Sequence, residues 1–261
     1  MIARYLVDDL GAEVVIMDNE GKTPLHFAAC SGSIKTLKLL LQRNSNVNAS
    51  DVWCVTPLHE AASKGRADVA EELLNAKAAV DLRNNRSMTP LQNAVVSASA
   101  DTVKALITHQ ADVNNANDDD FTPLHEATVR GYKDIAQLLL EGGAEVNATN
   151  KWQETPMFLA ARHEHCELLT LLDKHKADAL TQNAKWTAMH EAVSRNRPSS
   201  IKLLWTYGGA KSAWQESCSG QRPIDLAYAH GNDKCAQLLK DLMEPNERAY
   251  KSKEGVAAPS E

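Results

Sequence analysis

Apolar residues recur along this chain in short paired blocks set between polar turns. Val69-Ala70 is followed by Leu73-Leu74, and Ile135-Ala136 by Leu139-Leu140. That spacing lays one apolar stripe along a short helix, with polar residues on its other side. Ahead of each block stands a run of different character, which opens with Thr-Pro and carries a small pair such as Ala28-Ala29 or Ala61-Ala62. Thr accepts a hydrogen bond from a free backbone N–H at a helix start, and Pro suits the first helical position. The small pair lets this first helix approach its neighbours closely. A glycine able to end it in a left-handed turn follows at Gly32, Gly65, Gly131 and Gly231. Asn196 tolerates the same conformation, whereas Ala98 and Glu164 fit that slot less comfortably. The pattern predicts pairs of short helices, with segments such as Gly143-Ala144-Glu145-Val146-Asn147 leading from each second helix into the next turn.

The pairs repeat. Thr23-Pro24-Leu25-His26-Phe27-Ala28-Ala29 returns as Thr56-Pro57-Leu58-His59-Glu60-Ala61-Ala62, as Thr89-Pro90-Leu91-Gln92-Asn93-Ala94-Val95, and as Thr122-Pro123-Leu124-His125-Glu126-Ala127-Thr128. Weaker copies begin at Thr155, Thr187 and Arg222, and successive first positions are 33, 33, 33, 33, 32 and 35 residues apart. A period of about 33 residues carrying T-P-L-H-x-A resembles the ankyrin repeat, and the resemblance covers residues 1–243. It implies an all-α ankyrin-repeat solenoid of helix–turn–helix units joined by β-turn or hairpin-like loops. Seven repeats are expected over 18–243, starting near 18, 51, 84, 117, 150, 182 and 217. No repeat buries its apolar face alone, so the stack shares one core.

Residues 1–17 read as the second helix of a partial N-terminal repeat (3–10), and residues 244–261 as a disordered, apolar-poor tail. Either that partial repeat caps the stack or the chain is cut from a longer protein, and Ile2 and Leu6, which lack the polar outer face of a cap, favour the cut. Lys240 occupies a slot that holds Leu41, Leu74 and Leu140 elsewhere, which suits a last repeat facing water. Asp173 occupies the same slot inside the stack, and implies a weak point or a helix shifted in register. The 35-residue spacing fits if extra residues fall at Gly208-Gly209 and the turn after them, beyond the second helix.

Charge and chemistry narrow the function. With 28 basic against 34 acidic residues, the chain lacks the cationic excess that general nucleic-acid binding needs. Its longest apolar runs fall far short of the roughly 20 residues of a membrane span, and its first residues, with acids at Asp8 and Asp9, hold no apolar stretch of the length a secretory signal uses. Five cysteines form an odd set without a close pair, which fits a reduced cytoplasmic or nuclear setting. His26, His59, His125 and His190 share the fourth motif position, where the resemblance implies a structural hydrogen bond between neighbouring turns. His163-Glu164-His165-Cys166 is the densest group of potential metal ligands, but residues two apart on a helix diverge and no second cluster stands at zinc-site spacing. No nucleophile motif or phosphate-cradling loop is present. The reading is therefore non-enzymatic, with neither metal nor cofactor.

The positions that the repeat leaves free point to a protein partner. In ankyrin stacks the turn tips and first helices form a concave face. Three residues before the motif Thr stand Trp53, Arg86, Asp119 and Trp152, and immediately before it stand Val55, Met88, Phe121 and Trp186. Turn tips ordinarily favour small polar residues, yet these hold three of the five tryptophans. With Phe121 they make four rings, which can bury roughly 600–1,000 Å² against the ~800 Å² that one side of a standard interface requires. On the adjoining helix faces, Lys64, Arg130, Arg162 and Arg195 add positive charge, and Asp118-Asp119-Asp120 forms an acidic knuckle. The expected ligand is a protein segment carrying acidic and apolar side chains, bound by a monomeric adaptor or scaffold. Substrate recognition in a ubiquitin-ligase complex, or service as the cytosolic ankyrin region of a larger or membrane protein, are the alternatives. Asn48, Asn114 and Asn147 also resemble positions that asparaginyl hydroxylases modify in this family, although Asn favours turns in any case.

Overall fold

The computed structural model describes residues 13–246; the helix expected over residues 3–10 and the tail beyond residue 246 lie outside it. Fourteen α-helices lie among the described residues and alternate as seven pairs. They are α1 (Pro24–Ser31) and α2 (Ile34–Gln42), α3 (Pro57–Ser63) and α4 (Ala67–Asn75), α5 (Pro90–Val96) and α6 (Ala100–Thr108), and α7 (Pro123–Arg130) and α8 (Lys133–Glu141). The series continues with α9 (Pro156–His163) and α10 (Cys166–Lys174), α11 (Ala188–Ser194) and α12 (Pro198–Trp214), and α13 (Pro223–Ala229) and α14 (Asp233–Met243). This is the all-α helix–turn–helix architecture that the repeat implies. The loops are turns, with one isolated antiparallel bridge, Gln182 to Thr187, among the described residues.

The described residues divide into two compact units, 13–127 with 134–144, and 128–133 with 145–246. Within the first, α1 packs on α3 and α3 on α5, while α2 packs on α4 and α4 on α6. Within the second, α9 packs on α11 and α11 on α13, with α10 on α12 and α12 on α14. Within each unit, first helices thus form one layer and second helices another. The motif leucines Leu25, Leu58, Leu91 and Leu124 are buried, each contributing about 1.5–3 kcal/mol of apolar burial. Ala28-Ala29 and Ala61-Ala62 are buried beside them, and their small size sets the close spacing of the first layer.

The first helix ends in a left-handed residue in all seven pairs, at Gly32, Gly65, Ala98, Gly131, Glu164, Asn196 and Gly231. Ala98 (φ 57°) and Glu164 (φ 58°) therefore adopt the conformation despite their side chains. Gly131 is less replaceable, since a Cβ there would lie 2.9 Å from His165 Cε1.

Three expectations are corrected. Gly208-Gly209 does not lie beyond a second helix, because α12 runs from Pro198 through to Trp214. A Cβ at Gly208 would approach Ser212 Cβ to 2.8 Å, so the missing side chain is what lets these turns close on one another. Asp173 shifts nothing: α10 keeps Leu168, Leu169, Leu171 and Leu172 buried, and Asp173 falls in a half-buried slot that also leaves Leu41 and Ile107 partly open. Glu244–Asn246, placed in the tail by composition, instead form a turn of 3-10 helix. The Glu244 N–H donates to the Lys240 carbonyl, and the Lys240 ammonium lies 3.7 Å from the Glu244 carboxylate.

Candidate protein-binding surface

Each turn tip is built by a side-chain oxygen that stands in for a backbone partner. Asp51 Oδ1 accepts from the N–H groups of Trp53 and Val55, both at 2.9 Å. Asn84 does the same for Arg86 (2.8 Å) and Met88 (3.1 Å). Asn117 holds Asp119 and Phe121, Asn150 holds Trp152 and Glu154, and Asn183 holds Lys185 and Trp186. Asp18 and Ser217 serve the first and last tips. These residues tie down the backbone beneath the candidate side chains, and sequence reasoning missed them. Their signal was an Asp, Asn or Ser four or five places before each motif start, a spacing that fits side-chain-closed turns.

The fourth motif residue ties the opposite end. Thr23 N–H donates to His26 Nδ1 at 3.1 Å, which leaves the proton on Nε2. That Nε2–H reaches the Val55 carbonyl of the next tip at 2.9 Å. His59 bonds the Met88 carbonyl at 3.1 Å, Gln92 Nε2 the Phe121 carbonyl at 3.2 Å, and His190 the Gln221 carbonyl at 2.9 Å. Burial lowers the pKa of His59 and of His190, so both rings are neutral at ordinary pH. Structural bridging, as the resemblance implied, is what these histidines do. Val55, Met88 and Phe121 therefore have N–H and carbonyl groups that are already engaged, and present only their side chains.

In the first unit, Trp53 is 46% exposed, with the Lys22 ammonium 5.6 Å from its ring centre. Trp53, Val55, Arg86 and Met88 line the tip side of a groove of about 390 Å³, and Glu60, Ser63 and Asn93 line its helix side. Lys64 and Asp119 are exposed outside that groove, and Phe121 is half-buried against His125, with ring centres 5.1 Å apart.

In the second unit, Trp152 is 57% exposed and Trp186 half-buried, with the Lys185 ammonium 5.1 Å from its ring centre. Arg130 and Arg195 are exposed. Arg162 is turned inward: Nε donates to Glu191 Oε1 at 2.7 Å, Nη2 pairs with Glu154, and the guanidinium lies 5.2 Å from the Phe158 ring centre. Arg195 reaches the same Glu191 oxygen at 3.1 Å. Burial opposes the Arg162 charge, but Glu191 and Glu154 outweigh it and raise the guanidinium above its ordinary value. The structure thus separates Arg162, held by two carboxylates, from the exposed cations with which the repeat pattern grouped it.

Among the described residues, no group of three His, Cys, Asp or Glu side chains is arranged to hold a metal ion, and no helix is long and apolar enough to cross a membrane.

A search of curated protein sequences returns no match. Among solved structures the human ASB11 ankyrin repeat domain is similar, with a TM-score of 0.74 at 28% identity, over 84% of this chain and 97% of that one. The family model for ankyrin repeats matches residues 1–51, 58–150, 142–213 and 157–249. Ankyrin repeats are generally protein–protein interaction modules. With the motif, the paired helices and the family model in agreement over most of its length, the chain belongs to the ankyrin-repeat family.

Proposed function

We propose that this chain is an adaptor or scaffold of the cytoplasm or nucleus, without catalysis of its own. It binds a partner protein through its turn tips and the first-helix faces beside them, the face that is concave in an ankyrin stack. The observation that carries this reading is the exposure of Trp53 (46%) and Trp152 (57%) on tips whose backbone is already tied down. Large exposed apolar groups mark interaction sites, and tryptophan is enriched among residues that dominate binding energy. Lys64, Arg130 and Arg195 on the helix faces, with Arg86 and Asp119 on the tips, supply the charges that select among partners.

The test is affinity capture from host-cell lysate with the wild-type chain and a Trp53→Ala/Trp152→Ala variant. Trp186 is left intact, because its half-buried ring also packs within the fold. A protein captured by the wild type and lost with the variant supports the reading, provided both chains unfold at the same temperature. Identical recovery by the two chains overturns it.

A further inference from the structure

The groove between the second and third tips exists because of what three positions lack. Val55, Ser63 and Asn93 stand, relative to their motifs, where the fifth and sixth repeats have Glu154, Arg162 and Glu191. In the latter, Arg162 spans the gap between the two carboxylates and fills it. With an apolar residue, a small hydroxyl and a neutral amide in its place, the gap stays open, and Val55, Ser63 and Asn93 all line it.

Which ligand the groove fits follows from its charges. Lys22 lies 3.5 Å from Glu60 and 3.5 Å from Glu20. Asp51 is 6% exposed, and its Oδ1 accepts two backbone N–H groups. Arg86 is exposed and forms no ion pair among the described residues. Asp51 Oδ2 has no hydrogen-bond partner among the described residues but is buried away from the groove's opening, so the one exposed, unpaired charge the groove offers is the Arg86 cation, beside the apolar surface of Trp53, Val55 and Met88. On its helix side the Asn93 amide makes no side-chain hydrogen bond among the described residues, so both its donor and its acceptor are available to an incoming backbone.

We propose that this groove binds an extended protein segment carrying a large apolar side chain with an Asp or Glu close by. The apolar group lies against Trp53 and Met88, Arg86 takes the carboxylate, and Asn93 bonds the segment's backbone. The inference rests on reading the tips as a protein-binding surface and names the chemistry of what one part of it holds.

A random-peptide phage library panned on the full chain, on an Arg86→Glu variant and on a Trp53→Ala variant tests it. The wild type is expected to enrich peptides with Asp or Glu near Trp, Phe, Leu or Met. Arg86→Glu is expected to replace that acid by Lys or Arg, and Trp53→Ala to weaken a wild-type-selected peptide by about tenfold or more. Both substituted side chains are exposed, and equal thermal unfolding of the three chains excludes misfolding. An acid preference that survives Arg86→Glu, or enrichment of basic peptides by the wild type, overturns the proposal. If the lysate partner depends on Trp53 and Trp152 while the selected peptides ignore Arg86→Glu, the groove chemistry fails and the broader reading stands; if neither responds, both fall.

Discussion

The second and third repeats and the fifth and sixth repeats share a backbone plan but use one gap in opposite ways. In the first pair the gap is an open groove of about 390 Å³ beside Trp53 and Arg86. In the other pair Arg162 joins Glu154 to Glu191, and Glu191 is only 3% exposed. The backbone does not decide between them. The choice lies in three side chains outside the repeat's framework, which leave one gap open and tie the other shut. A buried ion pair is weak evidence of net stability, so that tie is one of geometry as much as of energy: Glu191 needs its partners once it is inside.

That comparison can be broken most severely at Arg162. Arg162→Ala leaves Glu191 with Arg195 alone, and stability should fall by about 2 kcal/mol in urea unfolding. This lies below the usual 3–5 kcal/mol for an orphaned buried charge because Arg162 is itself partly exposed and Arg195 remains. Binding of a groove-selected peptide should not change. Next in size, Val55→Glu/Ser63→Arg/Asn93→Glu transplants the network into the groove. Peptide affinity should drop about tenfold or more by titration, with stability within ~1 kcal/mol of the wild type. An unchanged affinity would show that those three positions do not open the gap.

The histidine bridges give a smaller effect, with a pH signature. His59 and His190 have folded pKa values below the ordinary one, because burial disfavours the charged ring. The unfolded chain, whose histidines titrate near ~6.5, therefore binds more protons than the folded chain below that pH. Their stabilisation is whole above about pH 6.5 and is lost as the pH falls through the depressed folded values, by at most about 1.4 kcal/mol per pH unit for each histidine. His59→Gln and His190→Gln should each flatten the acid limb of stability against pH, since Gln92 fills the equivalent position without titrating there. An unaltered limb in both variants would remove the histidines from the account. Smallest of all, Asp173→Leu should raise stability by a few tenths to about 1 kcal/mol, because its slot is only partly buried.

The sequence showed the repeat, its period and the helix pairs clearly, because Thr-Pro starts, small pairs and apolar stripes obey local rules. It also led to Trp53 and Trp152, which break the preference of turns for polar residues. Gly208 was misjudged since a glycine in this chain more often ends a helix, and only the approach of Ser212 reveals a glycine that keeps one tightly closed. Arg162 was grouped with exposed cations because its two carboxylates come from its own tip and from the following repeat, contacts that no local pattern encodes. Glu60 and Asn93 occupy the variable motif position, which faces the gap between tips, and no local pattern marks them as lining it. The Asp, Asn and Ser tip residues are legible in the sequence, because their spacing from each motif start is that of side-chain-closed turns.

The histidine bridges run one way along the chain. His26 holds the tip of Val55, His59 that of Met88 and Gln92 that of Phe121, each 29 residues ahead. A tip and the bond that secures it thus belong to different copies of the motif. The unit formed by a tip and its tie is therefore out of phase with the unit of sequence repetition. Moving the second and third tips into another stack with both ties intact would require carrying His26 as well as His59, because a graft cut at the motif boundaries would keep the Asp51 and Asn84 turns but leave the second tip without its bond from the preceding repeat.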